Sequence, residues 1–309
     1  MMLRLLLPLV AACMVAQTAW SQAAWAQTIE QRRQAVEATL AQSPACARLG
    51  DLYWEIGDAD DRLAWGQRGT SVTARQRVPL GAAGKWLFAA YVAERRQGHL
   101  GANDVAALNM TSGYSHLNVV ACRGASTVAD CPSPGPNPQH VGRFYYNNGH
   151  AQHLAMELGL GALEPRALAA EVNGLLRLSA PVVFDSPQIG SAQLSPAAYG
   201  DFLRALVDNR SALSPLLGSH ATCTLCLNGL YSPGPKPWSY GLGHWVEDGP
   251  GDDGALSSPG LFGFYPWISA DHTSWGVLAR NHLSKDAWWA SARCGALMRR
   301  AWLTARAQY

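Results

Sequence analysis

The sequence predicts an α/β fold: one antiparallel sheet flanked by N- and C-terminal helices, with an all-helical insert between its two halves. Three observations lead there. Two short runs near the start have strand character around a polar turn. Three aromatic, glycine-punctuated runs fill much of the last third. A long amphipathic stretch then closes the chain.

In order, residues 29–47 have helical apolar spacing. Residues 52–57 and 63–67 read as strands, and the polar residues 58–62 between them make a hairpin. From 84 to 97, Trp86, Leu87, Ala90, Tyr91 and Ala93 recur at helical intervals, and Gly98 ends the run. Residues 110–145 are rich in Gly, Pro, Ser and Asn and predict a long loop. Helix returns over 148–158. Ser195-Pro196 places a capping hydroxyl before a proline at the first helical position, opening a helix to about Val207. Residues 240–247, 261–268 and 274–280 read as three antiparallel strands, and 286–305 as the closing helix.

The chain has 309 residues with a formal net charge of +2, so it is long enough for a substantial core and carries no charge excess suited to nucleic acid. Arg4 followed by the apolar stretch 5–15, with Ala24-Trp25-Ala26 downstream, reads as a signal peptide over residues 1–26, leaving a domain over 27–309. A competing reading makes Val10-Ala11-Ala12-Cys13 a lipoprotein box. The first fits better, because the apolar stretch before Cys13 is short. No other apolar run is long enough to span a bilayer. A periplasmic or secreted location follows, and there the six cysteines after either cleavage form disulfides. The favoured pairs are Cys122–Cys131, closing a Pro/Gly-rich loop, Cys223–Cys226 in a short turn, and Cys46–Cys294 between the terminal helices. Cys223-Thr-Leu-Cys226 has no second C-x-x-C or paired histidines to complete a zinc site, so no metal or other cofactor is expected.

Only three lysines occur, and one of them, Lys85, lies in Gly81-Ala82-Ala83-Gly84-Lys85-Trp86, where an apolar helix begins. Two further segments follow: Phe144-Tyr145-Tyr146-Asn147-Asn148-Gly149-His150, and Ser257-Ser258-Pro259-Gly260-Leu261-Phe262-Gly263 at an expected strand start. This ordered triplet resembles the motifs of the serine β-lactamase and penicillin-binding-protein superfamily, and the resemblance covers about residues 46 to 304. The likeness is greatest to its class C and esterase branch, which uses Tyr-x-Asn as the second motif.

The resemblance implies acyl transfer to and from a serine. That serine stands three residues before the helix-start lysine; here the position holds Ala82. Lys85 and Tyr146 match the groups that move the proton, and Asn148 matches a substrate hydrogen-bonder. The main-chain N–H groups of Ala82 and Leu261 match the oxyanion hole, with Ser258 and Gly260 on the substrate-binding strand. Ser258 departs from the family, which carries Lys or His there and so has a partner for a substrate carboxylate. Pro259 removes one backbone donor. The expected partner is a small-molecule or peptide acyl compound.

Plainer readings stand beside these. Lys85 can be an ordinary helix lysine, although residues 80–90 around it are almost all apolar. Tyr145 competes with Tyr146 for the site. His150 and His153, one helical turn apart, read as helix-face or core residues, and His244 as structural. No second S-x-x-K exists, since Pro233 and His282 precede Lys236 and Lys285 by three. Ala82 therefore reads as a nucleophile replaced, by design or by descent, or as a site in which another residue acts.

Overall fold

The computed structural model describes residues 28–131 and 134–309. The expected signal peptide, its cleavage site and Cys13 lie outside them. The chain divides into two compact units, one comprising 49–295 and the other the N-terminal residues up to 48 with 296–309.

In the smaller unit the expected helix over 29–47 is two helices, α1 over 28–42 and α2 (Pro44–Ala47). Ser43-Pro44 explains the break. A residue before proline is pushed out of the α region, and Ser43 is extended at ψ 127°. The Arg32 guanidinium lies 5.8 Å over the Trp302 ring, and the Gln308 N–H donates to Thr39.

The larger unit is built on an eight-stranded sheet. Its N-terminal hairpin is β1 (Leu52–Gly57) and β2 (Arg62–Arg68). Two small sheets lie in the insert. One joins β3 (Val78–Pro79), β5 (Val183–Phe184) and β6 (Ala192–Leu194); the other pairs β4 (Phe144–Tyr145) with β8 (Gly229–Tyr231). The remaining strands are β7 (Thr222–Cys223), β9 (Ser239–Gly241), β10 (His244–Val246), β11 (Leu256–Ser257), β12 (Tyr265–Ile268) and β13 (Trp275–Ala279). The large sheet runs β2-β1-β13-β12-β11-β10-β9-β7, so strands from both ends of the unit meet at the antiparallel β1–β13 pair. Every residue of β1 and β13 is buried, as expected of strands covered on both faces.

The insert carries helices α3 (Gly84–Arg95), α4 (Ala102–Leu108), α5 (Gly149–Glu157), α6 (Pro165–Leu176) and α7 (Pro196–Val207). Ser195 caps α7 as expected, its side chain accepting from the Ala198 N–H. The terminal helix α8 (Ala287–Thr304) contributes its early turns to this unit. Helix α3 is buried on every side from Gly84 to Ala93, so the core closes around it.

Four expectations need correction. The insert is not all-helical, since it contains the two small sheets. Residues 240–247 are not one strand but the hairpin β9–β10, turned by Leu242 and Gly243 at φ 47° and 81°. Both central residues with positive φ give the turn whose twist suits a tight hairpin. Residues 261–264 are a turn, so β12 begins at Tyr265. The third motif thus leaves the end of β11 instead of opening a strand.

Cys122 is bonded to Cys131 and Cys223 to Cys226. Cys46 and Cys294 are also disulfide-bonded and fully buried. These bonds fit an oxidising, extracytoplasmic compartment. No helix among the described residues is long and apolar enough to cross a membrane.

Candidate active site

The turn carrying Ala82 is held from four directions. It is a 3-10 turn (Gly81–Ala83) running directly into α3. The Leu80 N–H donates to Ala192 O on β6 at 2.9 Å, and the Tyr199 hydroxyl on α7 donates to Ala83 O at 2.8 Å. Ser258, just past β11, donates to Ala82 O at 3.1 Å, with Gly243 O within 3.4 Å of the same hydroxyl. Glycine permits the fourth contact. Gly81 has φ 53°, and a Cβ there would stand 2.7 Å from Leu261 N; one on Gly260 would stand 1.9 Å from Leu80 O. The two glycines let the third motif approach the turn at van der Waals range.

Two backbone donors are thereby brought to one place. Neither the Ala82 nor the Leu261 N–H makes a hydrogen bond among the described residues. Ala82 is half-buried, and the Leu261 side chain is exposed.

Lys85 lies one turn further along, in the first turn of α3. It is buried, 6 % exposed, with no hydrogen bond or ion pair among the described residues. Its amine sits 4.9 Å over the centre of the Tyr146 ring. Burial pulls its pKa down to about 8. The positive end of α3 acts in the same direction, whereas the face of the Tyr146 ring acts against it.

Tyr146 follows β4 and is seated in an aromatic bed. It stacks on Trp245 at 5.6 Å and meets Tyr240 edge-on at 5.8 Å. Burial pushes its phenol well above the usual tyrosine range, so it stays protonated. Asn148 precedes α5 without capping it, and its side-chain amide makes no hydrogen bond among the described residues. It packs on Gly190, where a Cβ would stand 2.6 Å from its Nδ2.

His150 and His244 are bonded at both ring nitrogens. His150 reaches Ser112 Oγ at 2.7 Å and Tyr145 O at 2.9 Å. His244 meets Leu242 O and the Gly218 N–H, both at 3.1 Å, and stacks on Trp86. Burial lowers the pKa of each to about 4, so both are neutral. His153 pairs with Glu157 on the helix surface. Among the described residues no group of three or more His, Cys, Asp and Glu is placed to hold a metal. A cavity of about 790 Å³ lined by Glu94, Arg177, Phe202 and Arg204 contains none of the three motifs.

No protein-family model and no curated protein matches the sequence. Solved structures do. A penicillin-binding-protein homologue from Caulobacter crescentus is 14% identical, with 88% of this chain and 97% of that one covered at a TM-score of 0.61. A β-lactamase from Mycobacterium bovis is 15% identical over 82% and 95%, at 0.55. EstCE1, a hydrolase with promiscuous acyltransferase activity, is 12% identical over 87% and 98%, at 0.59. The chain has the serine β-lactamase and penicillin-binding-protein fold.

Within this β-lactamase-like fold, Ala82, Lys85, Tyr146, Ser258, Gly260 and Leu261 meet around one turn, with Asn148 two residues beyond Tyr146. Tyr145 faces elsewhere, stacking on His140 and Tyr231. Ser258 is enclosed and directed at the main chain of the Ala82 turn. Two contributors escaped the sequence reading. Tyr199 ties α7 to the turn, and Tyr240 adds a buried hydroxyl without a partner to the aromatic bed. A tyrosine four residues into a predicted helix and one at a predicted strand start carry no signal separating them from core aromatics.

Proposed function

We propose that this chain is an exported protein built as an acyl-transfer serine hydrolase whose nucleophile position holds Ala82, so that it binds acyl compounds without turning them over. The observation that carries this reading is the pair of unbonded N–H groups at Ala82 and Leu261, one turn from a buried lysine that lacks a counter-ion. A carbonyl oxygen accepting from both N–H groups would place its carbon near the missing hydroxyl. The ester, amide or lactam group enters past Tyr146 and Asn148, whose free amide is available to the acyl portion.

The two titratable groups divide the proton work. Lys85 reaches its neutral form near pH 8, whereas the Tyr146 phenol stays protonated. With a serine at position 82, Lys85 is therefore the base and Tyr146 the donor to the departing group. Ser258 acts here as a positioning residue. Its hydroxyl tethers the turn, and the carboxylate-binding cation of related motifs is missing. Uncharged acyl compounds suit such a site better than carboxylates.

The test is Ala82→Ser treated with a fluorophosphonate, a chromogenic ester and a cephalosporin, read by intact mass and turnover. The native chain should form no adduct, and the serine variant should acylate with a rate rising to a plateau through about pH 8. Loss of the serine in such an enzyme costs about 10⁶-fold in turnover, so the contrast should be large. If the serine variant reacts with none of the three, the hydrolase reading fails. A binding module using the same cleft for a peptide or cell-wall ligand then takes its place.

A further inference from the structure

The three lysines differ sharply in their surroundings. Lys236 is ion-paired to both oxygens of Asp252 at 3.2 Å, and Lys285 is exposed. Lys85 is buried, yet no carboxylate or carbonyl holds its amine among the described residues. The amine is not among the fully enclosed polar atoms without partners, a set that includes Trp86 Nε1 and Tyr240 Oη, so it keeps an opening. The side chain at position 82 is a methyl group, which offers the amine nothing to bond.

We propose that Lys85 is itself a nucleophile in this chain, its amine condensing with a small, uncharged aldehyde or ketone to form an imine at the Ala82–Leu261 N–H pair. The inference shares with the proposed function the placement of a carbonyl oxygen at that pair, but it needs no serine. An unpaired amine in an apolar pocket is available as a nucleophile because burial disfavours its ammonium form. The aromatic side chains of Tyr146, Tyr240 and Trp245 suit an apolar or aryl group on the carbonyl compound.

The step balances without a co-reactant. The nitrogen lone pair attacks the carbonyl carbon, a C–N bond forms, and the carbonyl π electrons move to oxygen, where the two N–H groups stabilise the charge. The oxygen takes the proton shed by nitrogen, giving a carbinolamine. Tyr146 then donates a proton as the C–O bond breaks and water departs, and the nitrogen lone pair makes the C=N bond. Deprotonation of the resulting iminium returns the proton to Tyr146. One carbonyl compound is consumed and one water released, with no net oxidation.

The test uses the full native chain with benzaldehyde and sodium cyanoborohydride at pH 8, followed by peptide mapping. Reduction fixes any imine as a benzylamine. Lys85 should be labelled roughly tenfold or more faster than Lys285, the exposed lysine that serves as the reference. Ala82→Ser should slow Lys85 labelling several-fold, because the restored hydroxyl engages the amine. Lys85 labelled no faster than Lys285, or equally fast with serine present, overturns the proposal. Its failure is distinguishable from that of the hydrolase reading. A serine variant that acylates while native Lys85 stays unlabelled sinks only this inference. Labelled Lys85 without any acyl adduct on the serine variant sinks only the other.

Discussion

Within the seven residues from Phe144 to His150, neighbouring side chains meet opposite fates. Asn147 accepts from the Leu117 N–H at 3.0 Å and the Gly149 N–H at 2.8 Å, and His150 is bonded at both ring nitrogens. Tyr146 and Asn148, on either side of Asn147, make no side-chain hydrogen bond among the described residues, and neither does the Lys85 amine beside Tyr146. Buried polar groups normally find partners, because an unmet donor or acceptor costs about 1–3 kcal/mol. The first set obeys that rule and holds the loop to the helix. The second set has no protein partner, and it includes the lysine one turn from the Ala82 turn, where the Ala82 and Leu261 N–H groups also make no hydrogen bond among the described residues.

Lys85→Met should break this contrast most visibly. The pKa of Lys85 falls from 10.5 unfolded to about 8 folded. Between those values the unfolded chain binds more protons, so stability rises with pH across that window. Below pH 8 both states are protonated, and the folded state carries the whole penalty, about 3 kcal/mol. Methionine removes it. The variant should be more stable than the native chain at pH 7 in urea unfolding, with the difference vanishing towards pH 10.5, and Lys85→Met in the Ala82→Ser background should not acylate. Destabilisation at pH 7 would mean that the amine has a partner and belongs with the bonded set.

The adjacent asparagines sharpen the comparison at smaller scale. Asn147→Ala leaves two backbone N–H groups unmet and should cost about 1–3 kcal/mol. Asn148→Ala removes no hydrogen bond and should change stability by less than about 0.5 kcal/mol, while weakening binding of an acyl compound to the native chain. Equal losses of stability from the two variants would end the distinction between them.

Much of the frame was legible beforehand, for local reasons. The β1–β2 hairpin showed because its polar turn interrupts two apolar runs. Helix α3 showed in its periodicity, and α7 in its Ser-Pro start. The β9–β10 hairpin was hidden because Leu242 occupies a positive-φ position that normally advertises itself with Asn, Asp or Gly. Helix α6 was missed although Pro165 stands at its first position, a signal that could have been used. At the site, the residue types and their order were readable. Direction was not. Whether Tyr145 or Tyr146 turns inward, and whether Ser258 points at a ligand or at the main chain, depends on contacts between segments more than 80 residues apart.

Ser258 supplies the smallest and most discriminating prediction. Its hydroxyl donates to Ala82 O, linking the segment after β11 that bears the Leu261 N–H to the turn that bears the other. Ser258→Ala removes one hydrogen bond of about 1 kcal/mol and should lower stability only by that amount. In the Ala82→Ser background it should act chiefly on the acylation rate constant at saturation, with little change in the concentration giving half-maximal rate. The N–H pair matters most when negative charge develops on the oxygen between its two members, and loosening their spacing therefore weakens the transition state more than the bound substrate. A loss of about tenfold in the saturating rate, recovered by Ser258→Thr, which keeps the hydroxyl, would establish the positioning role. A rise in the half-maximal concentration at an unchanged saturating rate would instead make Ser258 a substrate contact, and would move it from the bonded set to the open one.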